Sequence, residues 1–339
     1  MKAIVWQGPE QLEIADRPEP DDPGSGAVIL RPGAVGICGS EVEGYLGHQG
    51  NREPPLIMGH EFAGEIIAAG PGAEDWVGAR AAVNPLVGCG HCRLCRAGQE
   101  NICPNRTMIG IHHPGGFADL VSAPAANLRA LPDDLDVRLG ALTEPLANGV
   151  HAVRLGLAGR EPDSAVVIGA GTIGLVTLQA ALLHHIEHVA VIEPHDGRRE
   201  RARALGAHAV HCSGDAAQAG TDDLGVDLVI DAVGAQATRT MALQLVAPGG
   251  RVVCIGLASD ENRMSFHHVV RNQIAIHGSY AYTMGDFEQA LEWLATGQAS
   301  LGDLDDVQPL EDGPEAFARL AERPGSQVKV FLAGQGRGR

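Results

Sequence analysis

The sequence has 339 residues, of which 45% are hydrophobic and 20% charged, a balance typical of a globular protein long enough for two domains. Its 42 acidic and 25 basic side chains give a formal charge of −17, which argues against nucleic acid as a partner. No apolar run approaches the ~20 residues that a membrane-spanning helix requires, and the amino terminus lacks an export signal. We therefore expect a cytoplasmic protein with no membrane partner.

The pattern of apolar residues changes near Ser164. Before it, short apolar runs broken by proline and glycine predict an irregular all-β domain. After it, helix-like segments separate several of six apolar runs, which are AVVIGAG, HVAVIEP, AHAVHC, VDLVIDAVG, GRVVCIG and QIAIHGS. Strands covered on both faces are continuously apolar, so these runs predict a parallel sheet of six strands. Cys212 and Cys254 fall within two of them and are predicted to be small core residues.

The last 60 residues differ again. Two amphipathic helices are predicted around DFEQALEWLATG and GPEAFARLAE, followed by a strand around QVKVFLA. We expect this tail to return to the first domain. The predicted organisation is α/β: a β domain over residues 1–150, a doubly wound parallel domain over 151–279, and the return over 280–339.

Four cysteines lie close together in the segment 88–104. They are Cys89, Cys92, Cys95 and Cys103. Thiols in a cytosolic chain stay reduced, and four thiolates in one lobe can close a tetrahedron around zinc. Such a site has no position for substrate, so we predict a structural zinc here; buried or redox-active thiols are the alternative.

A second set of metal-ligand residue types is spread over two segments. Cys38 lies in GICGSE, and His60 and Glu61 lie in GHEFAGEI. Taken alone neither segment is persuasive, because an isolated cysteine or histidine is more often a core or surface residue.

A dinucleotide motif follows the first strand of the predicted parallel sheet. The segment GAGTIG, residues 169–174, stands between an apolar strand and an apolar helix. Its candidate cofactor-binding residues are Gly169, Gly171, Thr172, Ile173 and Gly174. That context predicts a turn that holds a pyrophosphate at the helix amino terminus.

The residue that ends the next strand bears on the choice of cofactor. Glu193 lies where a carboxylate accepts hydrogen bonds from the adenosine ribose, which favours NAD over NADP. Arg198 or Arg199 could instead reach a 2′-phosphate; the alternative is an arginine that packs over the adenine.

These motifs together resemble one family. GICGS, GHEFAGEI, the four-cysteine lobe, TEPLA at 143–147 and VVIGAGTIG occur in the order found in medium-chain zinc alcohol dehydrogenases, and the resemblance spans nearly the whole chain. It implies a GroES-like β domain, a Rossmann domain and an active site in the cleft between them. It also implies a second, catalytic zinc held by Cys38, His60 and an acidic residue, for which Glu61 and Glu144 compete. The family usually forms homodimers or homotetramers, and IAIHGSY is the candidate interface.

The resemblance also implies a reaction. An alcohol oxygen on zinc can lose its proton near neutral pH, and the alkoxide then transfers hydride to NAD. Ser40 corresponds to the residue that hydrogen-bonds the substrate oxygen. The carboxylate-containing site resembles that of sorbitol and threonine dehydrogenases, so we expect a small-molecule secondary alcohol of the polyol, cyclitol or aminocyclitol type. Alternatives are a threonine-like amino alcohol, a sugar-alcohol phosphate or, from another class, a non-catalytic zinc-stabilised NAD-binding protein.

The sequence departs from the family pattern beside Ser40. Glu41 stands where many relatives have aspartate, and Glu43 stands where several have a proton-relay histidine. Glu41 is a candidate acceptor for the ring N–H of His60. His48 is a candidate substitute for the relay, with a plain surface role as the favoured alternative.

Overall fold

The computed structural model describes residues 1–48, 50–218, 224–323 and 327–334. The chain forms two compact units. The first unit comprises Met1–Glu144, Thr283–Ala295 and Asp303–Arg339, and the second comprises Pro145–Tyr282 and Thr296–Gly302. Among the helices in the described residues, none is both long and apolar enough to cross a membrane.

The amino-terminal part of the first unit consists mainly of short strands. They are β1 (Lys2–Gly8), β2 (Gln11–Asp16), β3 (Ala27–Gly36), β4 (Leu56–Ile57), β5 (Glu61–Ala69), β6 (Arg80–Val83), β7 (Leu86–Val87), β8 (Thr107–Met108), β9 (Val121–Pro124) and β10 (Leu128–Ala130). A short helix, α1 (Gly39–Tyr45), follows β3. The strands β10, β6, β5 and β3 are consecutive neighbours in one sheet, and β9 also pairs with β3.

The second unit contains the six predicted parallel strands. They are β11 (Ser164–Ile168), β12 (His188–Ile192), β13 (Ala209–His211), β14 (Val226–Asp231), β15 (Val246–Cys254) and β16 (Ala275–Gly278). Their order is β13-β12-β11-β14-β15-β16 and every pairing is parallel, which confirms the predicted sheet. The strand order reverses beside β11, where doubly wound sheets bind ligands.

Helices connect these strands. They are α2 (Val137–Leu157), which begins in the first unit, α3 (Thr172–Leu183), α4 (Asp196–Ala204), α5 (Gly214–Gln218), α6 (Gln236–Leu245) and α7 (Phe266–Arg271). The chain then forms α8 (Met284–Ala295), β17 (Gln308–Pro309), α9 (Gly313–Glu322) and β18 (Phe331–Ala333). Both helices predicted after Tyr280 are therefore confirmed.

The final strand joins the sheet of the first unit. β18 pairs antiparallel with β3, with Phe331 opposite Gly36. Phe331 and Leu332 are fully buried, as are Leu30 and Val35 of β3. This apolar packing fixes the register in which β18 lies beside the end of β3, next to the candidate metal ligand Cys38.

The prediction that Cys212 is a core residue is wrong. β13 ends at His211, and Cys212 is exposed because the chain has already left the sheet. Cys254 is the last residue of β15 and is partly buried.

Candidate active site and metal centres

The pairing of β3 with β5 brings Cys38, His60 and Glu61 together. The two strands are antiparallel, with Gly36 at the end of β3 opposite Glu61 at the start of β5. Cys38 follows β3 by two residues and His60 immediately precedes β5, so both lie at the same edge of the sheet. The Cys38 sulfur, a ring nitrogen of His60 and a carboxylate oxygen of Glu61 lie within 4.8 Å of one another.

This donor set fits a zinc ion. Thiolate, imidazole and carboxylate are its usual protein ligands, and two ligand atoms on a tetrahedral zinc lie roughly 3.3–3.8 Å apart. The observed separations therefore require little movement for the three atoms to converge on one ion. His60 and Glu61 are buried, whereas Cys38 is partly accessible, as a site with an open position requires.

Glu41 contacts the backbone of the candidate metal ligands and the ring of His60. Its fully buried carboxylate accepts the backbone N–H groups of Cys38 at 3.0 Å, Gly59 at 2.7 Å and His60 at 3.1 Å. Its Oε1 also lies 2.9 Å from Nδ1 of the His60 ring. Burial alone would lower the pKa of His60, but the negative charges of Glu41 and Cys38 raise it well above its ordinary value. Since Nδ1 faces Glu41, a metal held by this histidine would bind Nε2.

A buried lysine that sequence reasoning missed contacts Glu61. The Nζ atom of Lys329 donates to both carboxylate oxygens of Glu61, at 2.9 and 2.6 Å, and to the carbonyl of Ile37 at 3.1 Å. Burial alone would lower the pKa of Lys329, but Glu61, Cys38 and Glu144 raise it. Lys329 therefore stays charged and balances part of the negative charge of the candidate metal ligands.

Glu144 lies in α2, outside the group whose ligand atoms are within 4.8 Å of one another. It is buried, and its charge acts on Lys329. The structure brings Glu61 to Cys38 and His60 but does not bring Glu144 into ligand distance with them.

Ser40 lies directly beside Cys38. Its hydroxyl donates to the Cys38 sulfur at 3.3 Å, and its oxygen accepts Nη2 of Arg52 at 3.5 Å. Arg52 is only 5% exposed. Sequence reasoning missed it, because an arginine in the irregular segment NREPP has no periodicity that predicts burial.

His48, the candidate relay residue, contacts Glu43, which stands where several relatives have the relay histidine. Nδ1 of His48 lies 2.9 Å from a carboxylate oxygen of Glu43, and both side chains are more than half exposed. The contact is at the protein surface.

The four-cysteine lobe has the dimensions of a zinc site. The sulfur of Cys92 lies 3.6 Å from that of Cys95 and 3.9 Å from that of Cys103, and the sulfur of Cys89 lies 3.9 Å from that of Cys95. Sulfurs on a tetrahedral zinc lie about 3.8 Å apart. Backbone N–H groups lower the pKa of the Cys89 thiol to about 6, whereas burial raises that of Cys95 to about 12. A divalent cation would allow all four crowded thiols to ionise together.

The glycines of GAGTIG have three distinct environments. Gly169 has a φ of 96°, which favours glycine, while a Cβ on Gly171 would meet nothing within 4 Å. A Cβ on Gly174 would lie 1.9 Å from the carbonyl oxygen of Gly169, so no side chain fits there. Thr172 is the first residue of α3, and Ile173 follows it. The motif thus provides a tight turn, an open backbone surface and a close helix–strand contact.

Glu193 faces the same turn. Its carboxylate accepts the backbone N–H groups of Ala170 at 2.9 Å and His195 at 3.0 Å, and it lies 3.6 Å from Nη1 of Arg198. Arg199 instead donates to the carbonyls of Glu193 and Pro194.

Comparison with known proteins identifies a GroES-like domain followed by a dehydrogenase domain, the order expected from the sequence. Residues 24–133 match the alcohol dehydrogenase GroES-like domain, and residues 172–296 match the zinc-binding dehydrogenase family. Sorbitol dehydrogenase of Bacillus subtilis strain 168 is 32% identical in an alignment that covers 98% of this chain and 97% of that protein. L-threonine 3-dehydrogenase of Pyrococcus horikoshii is 35% identical over 280 residues, which cover 80% of this chain and 78% of that protein. This chain also resembles the crystal structure of an alcohol dehydrogenase (rspB) from Escherichia coli CFT073 complexed with NADH. The two chains share 30% sequence identity and superpose with a TM-score of 0.88 over 98% of this chain and 99% of that one.

Proposed function

Because this chain belongs to the zinc-binding alcohol dehydrogenases with a GroES-like domain, we propose that it oxidises a secondary alcohol to a ketone and passes hydride to NAD. The family confirms the predicted class of enzyme and the predicted GroES-like and Rossmann folds. The convergence of Cys38, His60 and Glu61 carries the proposal, since a protein that only bound NAD would not need these ligands around an open position.

Each residue of the site has a distinct task. When bound, zinc lowers the pKa of an alcohol hydroxyl and so eases its oxidation. Cys38, His60 and Glu61 hold the metal, and Glu144 is the alternative carboxylate ligand. Ser40 is positioned to hydrogen-bond the substrate hydroxyl, because its oxygen lies next to the sulfur of the proposed ligand Cys38. Glu41 fixes the orientation of His60.

The second unit supplies the cofactor site. Gly169, Gly171 and Gly174, with Thr172 and Ile173, form the pyrophosphate turn, and Glu193 selects NAD by accepting ribose hydroxyls. We assign Arg198 to the edge of the adenosine site, since it contacts the Glu193 carboxylate. A 2′-phosphate would meet the negative charge of Glu193, so NADP fits less well.

Within this reaction class the proposed substrate is a polyol, cyclitol or aminocyclitol. A carboxylate-containing metal site and the similarity to a sorbitol dehydrogenase support this choice. An L-threonine-like substrate is the second candidate, supported by the similarity to a threonine 3-dehydrogenase. A sugar-alcohol phosphate and a non-catalytic role are the remaining alternatives.

A substrate panel tests the proposal. Purified, zinc-loaded protein is incubated with polyols, aminocyclitols, 3-hydroxy amino acids and sugar-alcohol phosphates, with NAD or NADP, while absorbance of the reduced nicotinamide is followed. We expect NAD-dependent turnover of one group. Failure with every alcohol, in protein that binds NADH and zinc, would favour the non-catalytic alternative.

Compartment and assembly complete the proposal. A zinc–thiolate lobe needs reduced cysteines, which supports the cytoplasm. We propose a homodimer or homotetramer formed through β16, because this strand is at the edge of the six-stranded sheet. Phe266 and Val270 of the preceding helix α7 are exposed apolar residues, which also supports an interface in this part of the chain. Light scattering of the full chain distinguishes these states from a monomer.

A further inference from the structure

Lys329 contacts the carboxylate of Glu61 in a way that limits how Glu61 can bind a metal. We propose that Lys329 occupies the space between the two carboxylate oxygens and so restricts Glu61 to metal binding through a single oxygen. A coordination position then stays free for the substrate hydroxyl. This inference rests on the proposed function and adds a positioning residue to its site.

The ammonium group of Lys329 lies between the two oxygens of Glu61. Its Nζ is 2.9 Å from Oε1 and 2.6 Å from Oε2, so it contacts both oxygens of one carboxylate at once. A metal bound through both oxygens would have to lie in that same place, whereas a metal bound through one oxygen can lie to the side. The observed position of Lys329 therefore excludes binding of a metal through both oxygens.

Three hydrogen bonds fix the ammonium group in this place. An ammonium has three N–H donors, and the third donor of Lys329 reaches the carbonyl of Ile37 at 3.1 Å. The backbone N–H of Ile37 donates in turn to the carbonyl of Val330, at 2.9 Å. Both the side chain of Lys329 and the backbone of the next residue are thus bonded to the residue that precedes Cys38.

Gly36 leaves the space in which the two side chains meet. A Cβ at this position would overlap Oε2 of Glu61 and lie 3.1 Å from Cδ of Lys329. Both side chains are almost completely buried, so water does not compete for the contact. The ion pair therefore depends on glycine at position 36.

A count of ligand atoms shows why this restriction matters. Catalytic zinc sites have three protein ligand atoms and a fourth position for water or substrate. Cys38 and His60 offer one atom each, so Glu61 has to supply only one for the fourth position to stay open. Bound through both oxygens, Glu61 would close the site. If Glu144 served as a ligand instead, a Glu61 released from Lys329 would fill the same position.

An ion pair with a purely structural role is the alternative. The chain has two lysines, and the other one, Lys2, pairs with Glu311 at 2.7 Å on the surface of the same unit. Neither Lys2 nor Glu311 belongs to a group of candidate metal ligands among the residues that the structure describes. Lys2→Met is therefore a matched control that removes a lysine from an ion pair away from the candidate ligands.

The test uses protein with zinc in the four-cysteine lobe and cobalt(II) in the second site, confirmed by metal analysis. The visible absorption of cobalt(II) changes with its coordination number and with each new ligand. Imidazole, a neutral ligand that binds through one nitrogen, is titrated into wild type, Lys329→Met, Lys2→Met and the double variant Lys329→Met with Glu61→Gln. Lys329→Gln replaces Lys329→Met if that variant does not fold, because its shorter side chain also carries no charge.

We expect imidazole affinity to fall on the order of 10–100-fold in Lys329→Met, because the second oxygen of Glu61 fills the position that imidazole needs. The double variant should regain most of this affinity, since a glutamine amide offers only one oxygen. In Lys329→Met, kcat/KM for the alcohol should fall in parallel while NADH affinity stays the same. Lys2→Met should match wild type in each measurement.

Two results would overturn the role of Lys329 and leave the dehydrogenase proposal standing. One is equal imidazole affinity in wild type and Lys329→Met. The other is a loss of affinity that the double variant does not reverse, which indicates a structural role for the ion pair. A wild-type protein with no metal outside the four-cysteine lobe, or with a second metal that admits no imidazole, would instead contradict the proposed function itself.

Discussion

Lys329 donates hydrogen bonds to both carboxylate oxygens of Glu61, with Nζ 2.9 Å from Oε1 and 2.6 Å from Oε2. Both side chains are almost completely buried. Gly36 makes the pair possible, because a Cβ there would lie 2.4 Å from Oε2 of Glu61. Glu61 is thus paired with the ammonium group of Lys329 and is also close enough to Cys38 and His60 to share a metal with them.

Removal of Lys329 should destabilise the metal-free protein more than the zinc-loaded protein. In Lys329→Met the Glu61 carboxylate is left buried without its ammonium, which costs about 3–5 kcal/mol of folding free energy. Bound zinc supplies positive charge to the same carboxylate and should recover part of the loss. Urea unfolding with and without zinc measures both quantities.

The double variant Lys329→Met with Glu61→Gln is the control for this expectation. It removes both charges, so its metal-free form should be more stable than the single variant. If the metal-free single and double variants lose the same free energy of unfolding, the loss comes from altered packing and not from the buried charge of Glu61.

Loss of the Glu41 carboxylate should weaken the proposed catalytic metal site. Glu41→Gln keeps the size of the side chain but loses acceptor capacity for the three N–H groups and the charge facing His60. We expect zinc affinity to fall roughly 10–100-fold, measured by competition with a chelator. Glu43→Gln, at an exposed position of the same helix, is the matched control. Unchanged affinity in Glu41→Gln would remove Glu41 from this role.

The four-cysteine lobe should affect stability. Cys95→Ser places a weaker zinc ligand in a buried position, so we expect the variant to lose one of about two zinc ions per chain and to melt at lower temperature. Cys212→Ser, at an exposed cysteine, should change neither quantity. Two zinc ions retained in Cys95→Ser would contradict the assignment.

Glu193 should determine which nicotinamide cofactor binds. Glu193→Ala removes the proposed ribose acceptor and the negative charge near the 2′ position, so NADH affinity should fall roughly 10–100-fold while NADPH affinity falls less or rises. Fluorescence titration with each reduced cofactor measures the ratio. Asp196→Ala, on the next turn and largely exposed, serves as the control. An unchanged ratio would exclude Glu193 from the ribose site.

The features predicted from sequence are those with local signals. Six continuously apolar runs identified the parallel sheet, since buried strands need such side chains on both faces. The cysteines from Cys89 to Cys103 lie within one short segment, so their convergence needed no knowledge of the fold. Cys38 and His60 were recognised through family motifs, whereas their geometry depends on the pairing of β3 with β5.

The residues that were missed depend on distant pairing. Lys329 reaches Ile37 across 292 positions because β18, which begins two residues later, joins β3. A single lysine in a short apolar run otherwise resembles a surface residue. Arg52 is buried against Gly44 and Ser40, a packing that no periodic pattern encodes. The error at Cys212 has a different origin: β13 is shorter than its apolar run suggests.

The most direct measurement is the zinc content and NAD-dependent turnover of Cys38→Ala beside wild type and Cys212→Ser. We expect wild type and Cys212→Ser to carry about two zinc ions per chain and to oxidise the same alcohol. Cys38→Ala should lose one zinc and its turnover while it still binds NADH. Wild-type turnover in Cys38→Ala, or a single zinc confined to the four-cysteine lobe of an active wild-type enzyme, would contradict a metal-dependent reaction at Cys38, His60 and Glu61.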